Sequence, residues 1–237
     1  MFVNWPKRMI NKYCRVVDKR LMERTLYNCL RESGVPKARG FNISKVKEAT
    51  LSYVNSMKVG AGIPEYRFSF SSKNPNIYSS AYACITRSLY KDLGSLTEKE
   101  RREWADYFDS FQSVEDGLFR DPNIMSEIFE KEDWWGARHL AAHLIIAYTV
   151  LGSKPKHDFY FLEPFYNPDK VVEWLETRDW KGRADFVGNE VMNHGVLLQY
   201  SRDFFQNEPA GYGVKTMMRW LEEHFYKDTG LWGEGPF

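Results

Sequence analysis

The sequence predicts an all-α chain built from helical hairpins stacked side by side. Three observations predict it. Apolar residues recur at spacings of three and four through most of the 237 residues, the period of a helix that buries one face. Capping and breaking residues cut that periodicity into short paired segments. The second segment of each later pair then carries a tryptophan, at Trp104, Trp174 and Trp220.

Taken in order, the first helix covers about residues 7–31 and stops at Ser33-Gly34-Val35-Pro36. A second covers about 44–57, with Ser44 as N-cap and Gly60 and Gly62 at its close. Tyr66-Arg67-Phe68-Ser69-Phe70-Ser71 alternates, as a short strand or an extended linker would. The next pair is about 77–93 and 97–111, joined by Gly94-Ser95-Leu96, with Thr97 and Glu100 as a capping box. Residues 136–151 pair with 168–177 across a longer connection, and Asn167 caps a helix that has Pro168 at its first position. The last pair is about 189–205 and 212–226, separated by Asn207 and Pro209. This divides the chain into a basic N-terminal hairpin (1–62), an extended linker (63–75) and a three-hairpin repeat region (76–237), within one structural domain.

Composition narrows the function classes. With 43% hydrophobic, 27% charged and 16% aromatic residues, the chain can bury a substantial core, which excludes disordered, collagenous and disulfide-scaffold classes. No stretch approaches the roughly 20 apolar residues of a membrane span. Residues 1–8 lack the apolar core of a signal peptide, so the expected location is cytoplasmic. Cys14, Cys29 and Cys84 are odd in number and form no C-x-x-C, so they read as small buried hydrophobes.

The net charge of +1 hides an asymmetry. Residues 1–58 hold 13 Lys/Arg against 4 Asp/Glu, and the remainder holds 20 against 28. Lys7, Arg8, Lys12, Arg15, Lys19, Arg20 and Arg24 are interleaved with apolar residues as in a basic amphipathic helix. Docking on the acidic remainder of the chain is the simpler expectation, and contact of residues 7–24 with an anionic membrane surface is the alternative. The patch is confined to one end and no recognition motif accompanies it, so nucleic acid is not an expected partner.

The repeats end alike, in Asp116-Gly117-Leu118-Phe119, Trp180-Lys181-Gly182 and Thr229-Gly230-Leu231-Trp232. Each hairpin is unable to bury its apolar face alone and must stack on its neighbours. The run from Ile77 to Thr86, then Leu93-Gly94, then Trp104 to Phe119 with Gln112 and Asp116-Gly117, resembles the hairpin repeat of protein prenyltransferase β-subunits and terpenoid cyclases. The resemblance covers residues 76–237 and implies an α/α toroid. Four hairpins fall short of the closed ring of those families, so the expected form is an incomplete toroid or open arc. An open repeat edge in turn implies a homo-oligomer or a partner that closes it.

The resemblance does not extend to the chemistry. The cyclases' Asp-x-Asp-Asp acid is missing, and none of the three cysteines has the Asp two places earlier that the prenyltransferase zinc site uses. The run Gly188-Asn189-Glu190-Val191-Met192-Asn193-His194 is similar instead to the Asn/His-rich starts of inner helices in heparinase- and alginate-lyase-type toroids.

Polar residues at the N-termini of inner helices are the candidate site, because exposed N–H groups there favour anionic groups. Asp133, His139, Asn193 and His194 are the candidate catalytic residues. Tyr78, Glu132, Trp134, Trp135, Arg138, Asn189 and Glu190 are candidates for substrate binding. Carboxylates beside Trp, Arg and His offer an acid, a base, a carboxylate clamp and a platform for a sugar ring. The alternatives are a solvated charge run with packing tryptophans for the first group, and a capping Asn189 with an interior His194 for the second. His139 and His143 share a helical face and can approach one metal, but with no third ligand to place, no metal ligand is assigned and the cofactor stays unspecified. Asp116 and Asp121 read as loop formers.

The function these residues favour is a carbohydrate-active enzyme, a polysaccharide lyase or glycosidase acting on a small-molecule or glycan substrate. An isoprenoid-handling toroid without the known acid and zinc motifs is one alternative. A non-catalytic helical-repeat binding module is the other.

Overall fold

Seven α-helices make up the described part of the chain, and no strand occurs among the described residues. The computed structural model describes residues 42–60, 62, 64–124 and 136–233. The expected helix at 7–31 with its basic face, Cys14, Cys29 and the group Glu132, Asp133, Trp134 and Trp135 all lie outside the described residues. In chain order the helices are α1 (Ile43–Ser56), α2 (Ile77–Leu89), α3 (Glu98–Asp109), α4 (Ala137–Leu151), α5 (Pro168–Glu176), α6 (Ala184–Phe204) and α7 (Glu208–His224). Short 3-10 turns at Asp92–Ser95 and Tyr160–Tyr166 lead into α3 and α5.

Most helix boundaries follow local chemistry. Thr97 and Glu100 form the expected capping box, the Thr97 amide donating to the Glu100 carboxylate at 2.7 Å. Asn167 caps α5, and Gly152 ends α4 in the left-handed conformation. Two expectations are corrected and one open alternative is decided. Asn42 rather than Ser44 caps α1, its carboxamide accepting from the Ser44 and Lys45 amides. Residues 66–71 form no strand; Tyr66 makes an isolated bridge to Lys58. Helix α6 begins at Ala184, five residues before Asn189, so Asn189 is an interior helical residue and not a cap.

The helices form two rows. Helix α4 packs against α2 on one side and α6 on the other. Behind this row α3 lies against α4, and α7 lies against both α5 and α6. Helices α2 and α4 run in the same direction: Tyr78 meets Gly136 and His139 at their starts, Tyr82 meets His143 one turn later, and Cys84 reaches the Ala147 carbonyl beyond. One hydrophobic cluster spans both rows and includes Met57 and Tyr66. Tyr66 stacks on Trp104 at 5.6 Å, which pins the stretch before α2 to the repeat region.

A hydrogen-bonded clasp joins successive hairpins. The Gln112 amide group donates to the carbonyls of Gly117 and His157, at 2.9 and 2.8 Å, and its carbonyl accepts from the His157 amide at 2.9 Å. Phe119, bridged to Gln112, is buried against Tyr148 of α4. A similar loop closes the last hairpin, where Tyr226 bridges Leu231 around a left-handed Gly230. The repetition seen in the sequence is thus partly a repetition of loop geometry.

Candidate functional site

Tyr78 and Tyr82, one turn apart on α2, face His139 and His143, one turn apart on α4. Two residues four apart share a helix face, so parallel neighbouring helices bring the two pairs into register. The Tyr78 hydroxyl lies 3.1 Å from the Gly136 carbonyl and 3.1 Å from His139 Nδ1. A carbonyl accepts only, so the hydroxyl donates to Gly136 and accepts from a protonated Nδ1 of His139. His143 Nδ1 lies 2.8 Å from the His139 carbonyl and donates to it for the same reason. Both imidazoles are therefore fixed as the tautomer whose basic lone pair is on Nε2. Their ring centroids are 4.2 Å apart, and the Tyr82 edge meets His143 at 5.2 Å.

Burial, followed by the neighbouring Tyr82, pushes the Tyr78 phenol far above its ordinary value, so Tyr78 is a proton donor and not a phenolate at neutral pH. Burial raises Tyr82 as well. The start of α2 is held by Asp121, a buried carboxylate that accepts from the Ile77 amide at 2.8 Å and the Asn123 amide at 2.8 Å. This fixes the turn that carries Tyr78. Beside the four rings, sharing Tyr82, is a cavity of about 220 Å³ between α1 and α2, lined by Tyr53, Val54, Met57 and Phe68 together with Arg67.

The other sequence candidates occupy a different setting. His194 is buried among Phe161, Phe165 and Trp174, with ring centroids 5.8, 4.9 and 4.7 Å away, and its Nδ1 donates to the Glu190 carbonyl at 2.8 Å. That is the geometry of an interior histidine packed between the two rows. Glu190 pairs with Arg178 at 3.4 Å, and the Arg178 guanidinium lies over Trp174. Asn193 is fully buried, while Asn189 and Arg138 are partly exposed on α6 and α4. The structure thus joins Tyr78 to His139 and places His194 and Glu190 in the inter-row packing.

Tyr82 and Asp121 were not among the expected site residues. A signal for Tyr82 existed, because it follows Tyr78 at the helical spacing that relates His143 to His139. For Asp121 there was none, since its partner amide is 44 residues away in sequence. Among the described residues no three His, Cys, Asp or Glu side chains converge as a metal site. No helix among them is long and apolar enough to cross a membrane. Compared with family models, curated proteins and solved structures, the chain matches none of them.

Proposed function

We propose that this chain is an open arc of an α/α toroid and a carbohydrate-active enzyme that cleaves a uronic-acid glycan by β-elimination. The observation that carries the reading is the 3.1 Å contact between the Tyr78 hydroxyl and His139 at the adjoining starts of two parallel helices. Elimination needs a base for the proton α to the uronate carboxyl and an acid for the departing glycosidic oxygen. His139 supplies the base through Nε2, and Tyr78, kept protonated by burial, supplies the acid. As the C–H bond breaks, its electron pair becomes the new carbon–carbon double bond and the bond to the leaving oxygen breaks. The leaving oxygen takes the Tyr78 proton. The Nδ1 proton of His139 then passes to the Tyr78 oxygen across their contact, which leaves His139 neutral with its proton on Nε2, and the pair is reset when water takes that proton and returns one to Nδ1. Tyr82 offers a ring face and Arg67 a cation for the substrate carboxylate in the adjoining cavity.

The test is turnover of a panel of uronate glycans, followed by the near-ultraviolet absorbance of the unsaturated product. Tyr78→Phe and His139→Ala are each expected to lower the rate by about a hundredfold to ten-thousandfold, the range for loss of a general acid or base. Absence of unsaturated product from every glycan, or undiminished turnover in both variants, would refute the reading. The apolar walls of the 220 Å³ cavity favour a second reading, an isoprenoid-handling site. Saturable binding of a fluorescent isoprenoid, lost on replacing Phe68 and Tyr82 together and unaffected by uronate glycans, would support that one. A cytoplasmic location and a partner or second copy on the open repeat edge belong with either reading.

A further inference from the structure

We propose that His139 and His143 form a binding site for a divalent transition metal of the zinc, nickel or copper class, held through the two Nε2 atoms. The argument starts from the fixed tautomers. In protein metal sites a ligating histidine commonly donates its other ring N–H to a carbonyl or another fixed polar group, which orients the ring and raises the basicity of the ligating nitrogen. Both rings carry that support here: His143 Nδ1 donates to the His139 carbonyl at 2.8 Å, and His139 Nδ1 donates to the Tyr78 hydroxyl at 3.1 Å, itself anchored on the Gly136 carbonyl. The rings are also close enough to share one ion. Their centroids are 4.2 Å apart with planes inclined at 42°, on successive turns of one helix. Metal–imidazole bonds of about 2.0 to 2.1 Å are compatible with that spacing once the two rings tilt toward one point.

The ligand chemistry sets the metal class. Two neutral imidazoles suit zinc, copper and nickel and are a poor match for calcium or magnesium, which take oxygen. Two protein ligands leave further coordination positions to water, so the site is an open one and of modest affinity. Two-nitrogen binding also takes the Nε2 lone pair that the proposed elimination uses, so added zinc is expected to inhibit such activity. The metal proposal does not rest on that activity, because its test reads binding alone.

The experiment uses the full chain freed of metal, titrated with zinc chloride by calorimetry and with cobalt(II) by visible absorption. One zinc per chain is expected to bind. His139→Ala and His143→Ala should each abolish that event, while His224→Ala, which removes a histidine stacked on Trp220, should retain it. Tyr78→Phe should weaken zinc by about tenfold, the usual loss when the group orienting a ligating histidine is removed. The cobalt spectrum of the wild-type chain does not depend on whether a variant folds. Ligand-field bands without a near-ultraviolet thiolate transition support the histidine pair. A thiolate transition would assign the metal to cysteine and overturn the proposal, as would unchanged zinc binding in both histidine variants or no zinc binding by the wild-type chain.

Discussion

Gly117 has a φ of +78°, and a Cβ built on it would collide with the backbone carbonyl of Asp158. Gly152 has a similar φ of +73° but nothing near its Cβ position. The pair separates two reasons for glycine. Gly152→Ala should lose about 1 to 2 kcal/mol, the strain of a left-handed non-glycine residue. Gly117→Ala adds displacement of the connection at Asp158 and should lose about 3 kcal/mol or more. Urea denaturation of both variants checks this, and equal losses would show that the approach of Asp158 does not matter. The glycine in the turn was legible from the sequence, because Asp-Gly is a turn signal. The close approach was not, since Asp158 lies on the next hairpin's connection. Cys84 makes the opposite case: the sequence reading as a buried apolar residue matches a fully buried thiol that burial pushes up to about 12, an effect only partly offset by Arg87 and Arg101. A thiol raised this far stays protonated at all ordinary pH values, so Cys84 should resist alkylation in the folded chain at pH 8 and react on denaturation. Mass spectrometry of the Cys84 peptide reads this out, and rapid native labelling would contradict the burial.

At the scale of elements, Gln112 links the end of one hairpin to the connection of the next. Its carboxamide makes three hydrogen bonds to backbone groups of Gly117 and His157, and Phe161 donates to the Asp116 carbonyl nearby at 3.2 Å. Gln112→Ala would strand an amide and two carbonyls that its side chain now satisfies. The expected loss is about 2 to 3 kcal/mol, above the value of one ordinary hydrogen bond, because half-buried partners are left unmade. Thr97→Ala, at an exposed capping box, should lose only about 1 kcal/mol. If the order of these two losses in thermal or urea unfolding were reversed, the clasp would be incidental to stability. The capping box was legible because four consecutive residues define it. The start of α6 was not, because Asn189 resembles a cap locally while the helix extends five residues further back to Ala184. Likewise α7 begins at Glu208, taking Pro209 into its first turn instead of stopping at it. The pairing of Tyr78 with His139 depends on two helices lying side by side in one direction, and local sequence carries no record of that.

Across the molecule, stability should be graded along the row of helices. Most of a helix's stability in a folded chain comes from packing against its neighbours, and α4 packs against α2, α6 and α3. Nine of its 15 residues are buried, whereas none of the 14 residues of α1 is. Helix α7 lies between, with Ala210, Gly213, Met217 and Trp220 buried and the side chains of Tyr212 and Met218 exposed. This contrast was partly visible in the sequence, since α4 is apolar on nearly all sides and α1 is not. Arg138, His139, His143 and Thr149 break that apolar surface, and the two histidines meet Tyr78 and Tyr82, so the candidate site is carried on the best-supported helix and faces α2. Hydrogen exchange read by mass spectrometry should therefore find the slowest amides in α4, intermediate ones in α7 and the fastest helical amides in α1, because local opening exposes little apolar surface in α1 and much in α4. The Tyr148→Phe variant sharpens the test. It removes the 2.6 Å hydrogen bond from Tyr148 to Asp109, which ties α4 to the end of α3, while keeping the ring that packs on Phe108 and Phe119. Exchange should then speed up in α3 and α4 together and leave α7 unchanged. Uniform protection in the wild-type chain, or equal acceleration of α7 in the variant, would mean that the described helices open as one cooperative unit and that α4 has no special place in it.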